Sequence, residues 1–532
     1  MKAQSSPARQ PGMHEIQPLF DLLNAGRLAS AESAARALLA RYPDALPLHQ
    51  VLANALAGQG KHAEALVSFR RLAAANPKSP ELQFNLAVVA SQAGRLDEAI
   101  AGYEKVIALA PRLADAHYNL GTALQALGRL DAATASYRRA VALEPGFFEA
   151  HGNLGAVLQM QGRLDEAVAS YRRALALSPD ARGHFNLGTA LATQGKLDEA
   201  IASYRQALAI DASFADAASS LGEALFHRGQ PEAAVASYRR ALAIDPDHAE
   251  ANYNLGTFLY DAGELAQAIP YFERSQLRDW RERALYCLYK TGRFEEFRTR
   301  LQPLLALPHT SPFLATLSAH HAANFGVEDP YRFCRNPLDF VHLARIDALA
   351  APDSALRAAL LRDIEHAEIA ERKQGRLHHG IQSSGNLFHR PEASFTALAA
   401  EVRRVVEDYR ARFTGNESQF IQAFPAKIEF SSSWYVKMRT GGHLTSHIHE
   451  TGWLSGSLYL AMPRREPGRD DGSIEFSTHG DDYPQRHTAF PKQTIAPGVG
   501  DIVLFPSSLF HRTIPFDAAE ERVCIAFDVK PG

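Results

Sequence analysis

Cysteine is scarce in this chain: Cys287, Cys334 and Cys524 are the only three in 532 residues, far apart and forming no CxxC pair. That spacing excludes a cysteine-ligated zinc framework and suits a reducing compartment. No uninterrupted apolar run is long enough to span a bilayer, and the opening stretch MKAQSSPARQPGMHEIQ lacks the apolar centre of a secretory signal. Long basic blocks are missing too. With a net charge of −3 and a pI near 6.8, the composition argues against binding driven by nucleic-acid phosphates. The expectation is a soluble, cytoplasmic protein with neither a nucleic-acid nor a membrane partner. At 532 residues the chain is too long for one core, so at least two domains are expected.

What the chain has in abundance is periodicity. Gly26, Gly60, Gly94, Gly128 and Gly162 recur every 34 residues; Gly195 follows after 33, and Gly229 and Gly263 after 34 each. Five residues beyond each stands an alanine (Ala31, Ala65, Ala99, Ala133, Ala167, Ala200, Ala234, Ala268), and four further on usually a ring, from Phe69 and Tyr103 to Tyr238 and Phe272. Pro43, Pro77, Pro111, Pro145, Pro179 and Pro246 close the units. Glycine ends one helix, alanine lets the paired helix approach, the ring fills the hole beside it, and proline stops the second helix. With Asn-Leu-Gly at 119–121, 153–155, 186–188 and 254–256, the pattern resembles the tetratricopeptide repeat. The one deletion, between Pro179 and Gly188, reads as a shortened turn. Such arrays present a groove to a protein or peptide partner, without naming it.

After Phe272 the pattern decays. Residues 285–297 resemble a degenerate ninth pair whose glycine, Gly292, arrives 29 residues after Gly263, as suits a capping unit. Residues 314–325 and 355–372 read as helical, with a turn at 336–340, and 393–412 as an amphipathic helix able to buttress a β-sheet. The expected division is a flexible tail at 1–11, the repeat solenoid at 12–310, a helical connector at 311–370 and a β-domain at 371–532.

Within that last segment lies the candidate chemistry. A strand rich in β-branched and aromatic residues (Ile428 to Val436) leads to Gly441-Gly442, read as a turn, and then to His447-Ile448-His449. Period-two alternation puts the two imidazoles on one face. Two neutral imidazoles side by side supply two-thirds of a facial metal site, and His511, after the apolar strand 502–505 and a Pro-Ser-Ser turn, is the candidate third. Arg522 follows eleven residues later, sharing its strand face with Cys524 and Ala526. A guanidinium beside small side chains suits a carboxylate, which it grips with a planar fork. His479 and His487 are rival ligands on the long loop 478–492, while His378 and His379 read as structural or solvent-exposed.

Gly441, His447-Ile448-His449 and Ser455…Tyr459-Leu460, followed by Gly500-Asp501…Phe505…His511…Arg522, resemble the Fe(II)/2-oxoglutarate oxygenases. More narrowly, they resemble the bacterial, prolyl-hydroxylase-like group that follows tetratricopeptide arrays. The resemblance covers about residues 370–532, with the repeats before it. It implies a double-stranded β-helix (jelly-roll) after an all-α solenoid. It also implies Fe(II) on His447 and His511, 2-oxoglutarate held by Arg522, and Ser455 or Tyr459 lining its pocket. His449 stands where most of the superfamily has aspartate; it or the neighbouring Glu450 would complete the ligand set. The implied activity is hydroxylation of a protein or peptide recruited by the array. Two alternatives stand beside it: a scaffold whose jelly-roll only binds, and a cupin-like three-histidine enzyme that does not use 2-oxoglutarate.

Overall fold

The computed structural model describes residues 10–305, 311–366, 369, 371–372, 375–450, 452–480 and 482–530. Most of the expected tail, and Asp481 in the long loop, therefore lie outside the described residues. The chain divides into two compact units, Met1–Asn254 and Leu255–Gly532, and the dividing line falls inside the helix Ala249–Asp261.

The first unit is a succession of antiparallel helix pairs, from Met13–Asn24 with Leu28–Leu39 to Ala215–His227 with Pro231–Ile244. Each first helix ends on a glycine in the left-handed region, with φ between +69° and +79° from Gly26 to Gly229, where a Cβ would be strained. At Gly162 the chain reverses through two bonds, Gly162 N to the Gln159 carbonyl and Arg163 N to the Leu158 carbonyl, both 2.9 Å. The alanines five residues on are wholly buried. The rings meet a second glycine series, that of Leu-Gly in the first helix. A Cβ on Gly121, Gly155 or Gly188 would come within 2.8 Å of Tyr137, Tyr171 or Tyr204, so ring and backbone pack in direct contact. The deletion is a shortened turn. Three residues (178–180) join Leu177 to Ala181, where four (144–147) join Leu143 to Phe148, and the Asp180 side chain accepts from Gly183 N to start the next helix.

The second unit continues with the helices Leu265–Ser275, Trp280–Lys290, Phe294–Leu305 and Pro312–Phe325 before the strands begin. Among the described residues ten strands follow: β1 (His342–Arg345), β2 (Glu371–Arg372), β3 (Leu377–Ser383), β4 (Phe430–Leu444), β5 (Leu454–Ala461), β6 (Ile474–Ser477), β7 (Lys492–Ile495), β8 (Asp501–Pro506), β9 (Phe510–Thr513) and β10 (Arg522–Val529). They form a seven-stranded sheet, β1-β8-β5-β10-β4-β3-β2, and a three-stranded one, β7-β6-β9, with every pair antiparallel. Val436, Met438, Tyr459, Phe476, Phe505 and Leu509 pack between the two sheets, giving a double-stranded β-helix. The helix Ala393–Arg412 buries Phe395, Leu398, Val402, Val406 and Tyr409 and ties Tyr409 Oη to the Phe340 carbonyl at 2.8 Å.

Two local expectations change. Gly441-Gly442 do not end the strand; they lie within β4, where the pairing with β3 slips between Gly380↔Met438 and His378↔His443. This is a β-bulge, with Gly441 at φ +79° and its N–H donating 2.7 Å to the Phe516 carbonyl. Of the helix expected over 355–372, Ala355–His366 is helical, whereas Glu371–Arg372 pair with β3, because the open edge of a sheet attracts backbone partners that helical periodicity does not foresee. The stretch expected as a helical connector also supplies β1, the opposite edge of the same sheet.

Candidate metal centre

His447 and His511 face each other across a lone antiparallel bridge, His447 N to His511 O at 3.1 Å and His511 N to His447 O at 3.0 Å. His449 is fixed two residues on by its N–H to the Ser507 carbonyl, 3.1 Å. The three imidazoles converge, with ring centroids 4.3 to 5.4 Å apart and one nitrogen from each within 4.8 Å of the others. In every ring Nδ1 is already engaged. His447 donates to the Thr445 carbonyl at 2.8 Å, His511 to the Leu509 carbonyl at 3.3 Å, and His449 bonds Asp528 Oδ1 at 2.5 Å. That leaves the Nε2 lone pair of each ring as the candidate ligand, and an outer hydrogen bond on the other nitrogen is how protein metal sites fix imidazole tautomer and orientation. Burial lowers the pKa of His447 to about 3 and that of His511 well below the usual histidine value, helped by the neighbouring imidazoles. Both are therefore neutral, as metal ligands must be.

Asp528 is the residue that the sequence reading missed. Burial alone would raise its pKa, but His449 beside it and hydrogen bonds from His449, Ser455 and Ser432 hold the carboxyl below the usual range. Ser455 Oγ donates 2.6 Å to Asp528 Oδ1, lies 3.0 Å from His449 Nδ1 and contacts Ser507 Oγ at 2.8 Å. The structure thus places Ser455 behind His449, with its hydroxyl fully used. The signal was available: Asp528 is the next member of the Arg522, Cys524, Ala526 face of β10. A negative charge that an aspartate ligand would carry is present here one hydrogen bond further out.

A cavity of about 720 Å³ opens beside the histidines, lined among others by Arg376, Trp434, Cys524, Ala526, Asp528 and Arg522. Arg522 is 2% exposed. Its Nε donates to the Gly472 carbonyl at 3.1 Å, and one terminal nitrogen reaches only sulfur, Cys524 Sγ at 3.4 Å and Met438 Sδ at 3.9 Å. Among the described residues no carboxylate forms an ion pair with it. Tyr459 lies under the guanidinium, ring centroid 5.0 Å away, and its buried hydroxyl has no hydrogen-bond partner among the described residues. Arg465 sits near enough that burial and the charge of Arg522 lower its pKa. A buried guanidinium facing two small side chains has the chemistry that suits an anion.

The other candidates stand outside the three-histidine cluster. Among the described residues the three-histidine group is the one cluster arranged to hold a metal ion. Glu450 is exposed and not part of that cluster, although it lines the same cavity. His479 packs on Phe490 and His320, His487 bonds the Ala323 carbonyl, and His378 stacks on His443. No helix among the described residues is long and apolar enough to cross a membrane.

Comparison with known proteins agrees with this geometry. Residues 432–528, from the serine that bonds Asp528 to Asp528 itself, match the family described as "Putative 2OG-Fe(II) oxygenase". Tetratricopeptide-repeat families match segments from 56–102 through 91–128, 114–147 and 147–213 to 219–284. No curated protein matches the chain significantly. Among solved structures, MamA is 27% identical, with 30% of this chain and 95% of that one covered and a TM-score of 0.30. YrrB, described as a TPR protein with an unusual peptide-binding site, is 26% identical, covering 34% and 95%, with a TM-score of 0.33. A tetratricopeptide repeat protein from Parabacteroides merdae is 19% identical, covering 44% and 92%, with a TM-score of 0.35. The chain is therefore a tetratricopeptide-repeat array carrying, C-terminal to it, a domain of the "Putative 2OG-Fe(II) oxygenase" family.

Proposed function

We propose that this protein is an Fe(II)- and 2-oxoglutarate-dependent dioxygenase that hydroxylates a protein or peptide recruited by its repeat array. The observation that carries the reading is the pairing, in one cavity, of three convergent imidazoles with a buried arginine that has no carboxylate partner among the described residues. Nε2 of His447, His449 and His511 would hold the metal on one face, leaving the opposite face open toward the cavity. Iron with 2-oxoglutarate and O₂ would supply there a two-electron oxidation of a C–H bond, with succinate and CO₂ released.

The chain's own groups do the rest. Arg522 grips the distal carboxylate with its fork, and Tyr459 beneath it offers a free hydroxyl. Cys524 and Ala526 keep the cavity floor low between that carboxylate and the metal. Asp528 holds the Nδ1 proton of His449 and keeps its Nε2 aimed at the ion, while Ser455 and Ser432 hold Asp528. Trp434 shields the site beside His449, with ring centroids 5.4 Å apart. Tetratricopeptide arrays typically bind peptides, and here the array would raise the local concentration of substrate.

The test is anaerobic addition of Fe(II) followed by 2-oxoglutarate, watched for the visible charge-transfer band of the chelated complex. The proposal expects the band. Metal binding that 2-oxoglutarate leaves unaltered would favour a cupin-like site, and no metal binding at all would favour a scaffold.

A further inference from the structure

The helix Pro312–Phe325 is buried along most of its length, yet lines none of the histidine cavity. It nevertheless grips the segments that carry the histidines at two points. Thr316 Oγ1 donates 2.6 Å to the carbonyl of Ser508, in the turn three residues before His511. The residue before it, Ser507, supplies the carbonyl that fixes His449 N and a hydroxyl that touches Ser455. Asn324, also buried, clamps the long loop with both ends of its amide. Nδ2 donates to the Pro484 carbonyl and Oδ1 accepts from Arg486 N, each at 2.8 Å.

That loop leans in turn on the residues immediately preceding two of the histidines. A Cβ on Gly480 would collide with the Ser446 hydroxyl and the Phe510 ring, and Tyr483 meets Phe510 edge-on at 5.2 Å. From the other side, Tyr289 of the helix Trp280–Lys290 bonds His320 Nδ1 at 2.7 Å, contacts Asn324 at 3.4 Å and packs against the Tyr483 ring. His447 belongs to no strand and is paired by a single bridge, so its place depends on such tertiary support.

We infer that Thr316 and Asn324 are positioning residues for the three-histidine centre, acting through the turn 506–508 and the loop segment 482–490. The inference rests on the metal reading above. It makes the late helices part of the catalytic unit's frame, so the site is braced from beyond the β-domain that the sequence motif marks.

The experiment uses the full-length protein and Co(II) as the probe, reading affinity by titration and geometry from the visible d–d spectrum. Thr316→Val and Asn324→Ala should each lower Co(II) affinity about tenfold, the lower end of the effect of removing an outer contact of a metal site, and alter the d–d envelope. Thr316→Ser, which keeps the donor, should behave as wild type. Ser318→Ala, on the same helix, is the control: it removes the bond to Asp329 in the segment after that helix, touches neither the turn 506–508 nor the long loop, and should change thermal stability without changing the spectrum. Wild-type affinity and spectrum in both Thr316→Val and Asn324→Ala overturn the inference. Co(II) binding lost equally in Ser318→Ala overturns it too, since the helix would then matter only for folding. A wild-type protein that does not bind Co(II) refutes the metal reading itself, and the inference with it.

Discussion

Replacing Arg522 by methionine should abolish 2-oxoglutarate binding while leaving the apo-protein as stable as before, or more so. The side chain is 2% exposed, and its one strong hydrogen bond runs to the Gly472 carbonyl; its other hydrogen bonds are to sulfur, with the Tyr459 ring beneath the guanidinium. Without ligand it is a buried charge lacking an opposite partner among the described residues, and replacing buried charges by apolar side chains of similar volume is often neutral or stabilising. The carbonyl left behind costs about 1 kcal/mol. With ligand the sign reverses. A distal carboxylate deprived of its guanidinium loses on the order of 3–5 kcal/mol, about 150- to 5,000-fold in affinity. Arg522→Lys keeps the charge and loses the fork, so it should fall between. The assay is anaerobic 2-oxoglutarate titration at fixed Fe(II), with thermal melts of each protein with and without the cosubstrate. Fe(II) affinity itself should barely move, because the histidines are untouched. Equal 2-oxoglutarate affinity in all three proteins, or a large fall in the apo melting temperature of Arg522→Met with binding intact, would show Arg522 to be a structural arginine.

Asp528→Ala should weaken metal binding about 10- to 100-fold by freeing the His449 ring, measured by Co(II) titration. His449→Asp should bind metal worse than the double variant His449→Asp/Asp528→Asn, since the single change sets two carboxylates side by side. Acid should destabilise the apo-protein. Burial lowers the pKa values of His447 and His320 to about 3 and of His321 to about 4, so the unfolded chain binds the extra protons. Their contribution is complete above the unfolded histidine value near 6.5 and is lost as pH falls toward 3–4, visible as a falling melting temperature across that window. In the array, Gly162→Pro forces a residue at φ +74° into a ring that cannot adopt it, and Ala167→Trp overfills a wholly buried site. Both should disrupt neighbouring repeats by circular dichroism and lower turnover on a protein partner while sparing uncoupled 2-oxoglutarate turnover. Equal loss of both activities would refute a separable recruiting role.

The repeats were legible from sequence because each is a local unit. Gly162, Ala167 and Tyr171 act within a few turns of one another, so their spacing is their structure. The three histidines were singled out for a related reason, an assumed alternation around His447 and His449 and a short strand leading to His511, although His447 and His449 lie beyond β4 and are brought to His511 by a lone bridge. Arg522 could be chosen by the same alternation, and the next step along β10 would have reached Asp528.

What no spacing could decide is which elements meet. That Asp528 lies against His449, and Ser455 behind both, follows from β10 being sandwiched between β4 and β5, a pairing of strands more than 60 residues apart. The edge strand β1, the bulge at Gly441 and the brace from Thr316 and Asn324 are of the same kind. Local sequence sets the propensity and facing of each segment; long-range pairing sets its neighbours, and through them the absence of any carboxylate partner for Arg522 among the described residues.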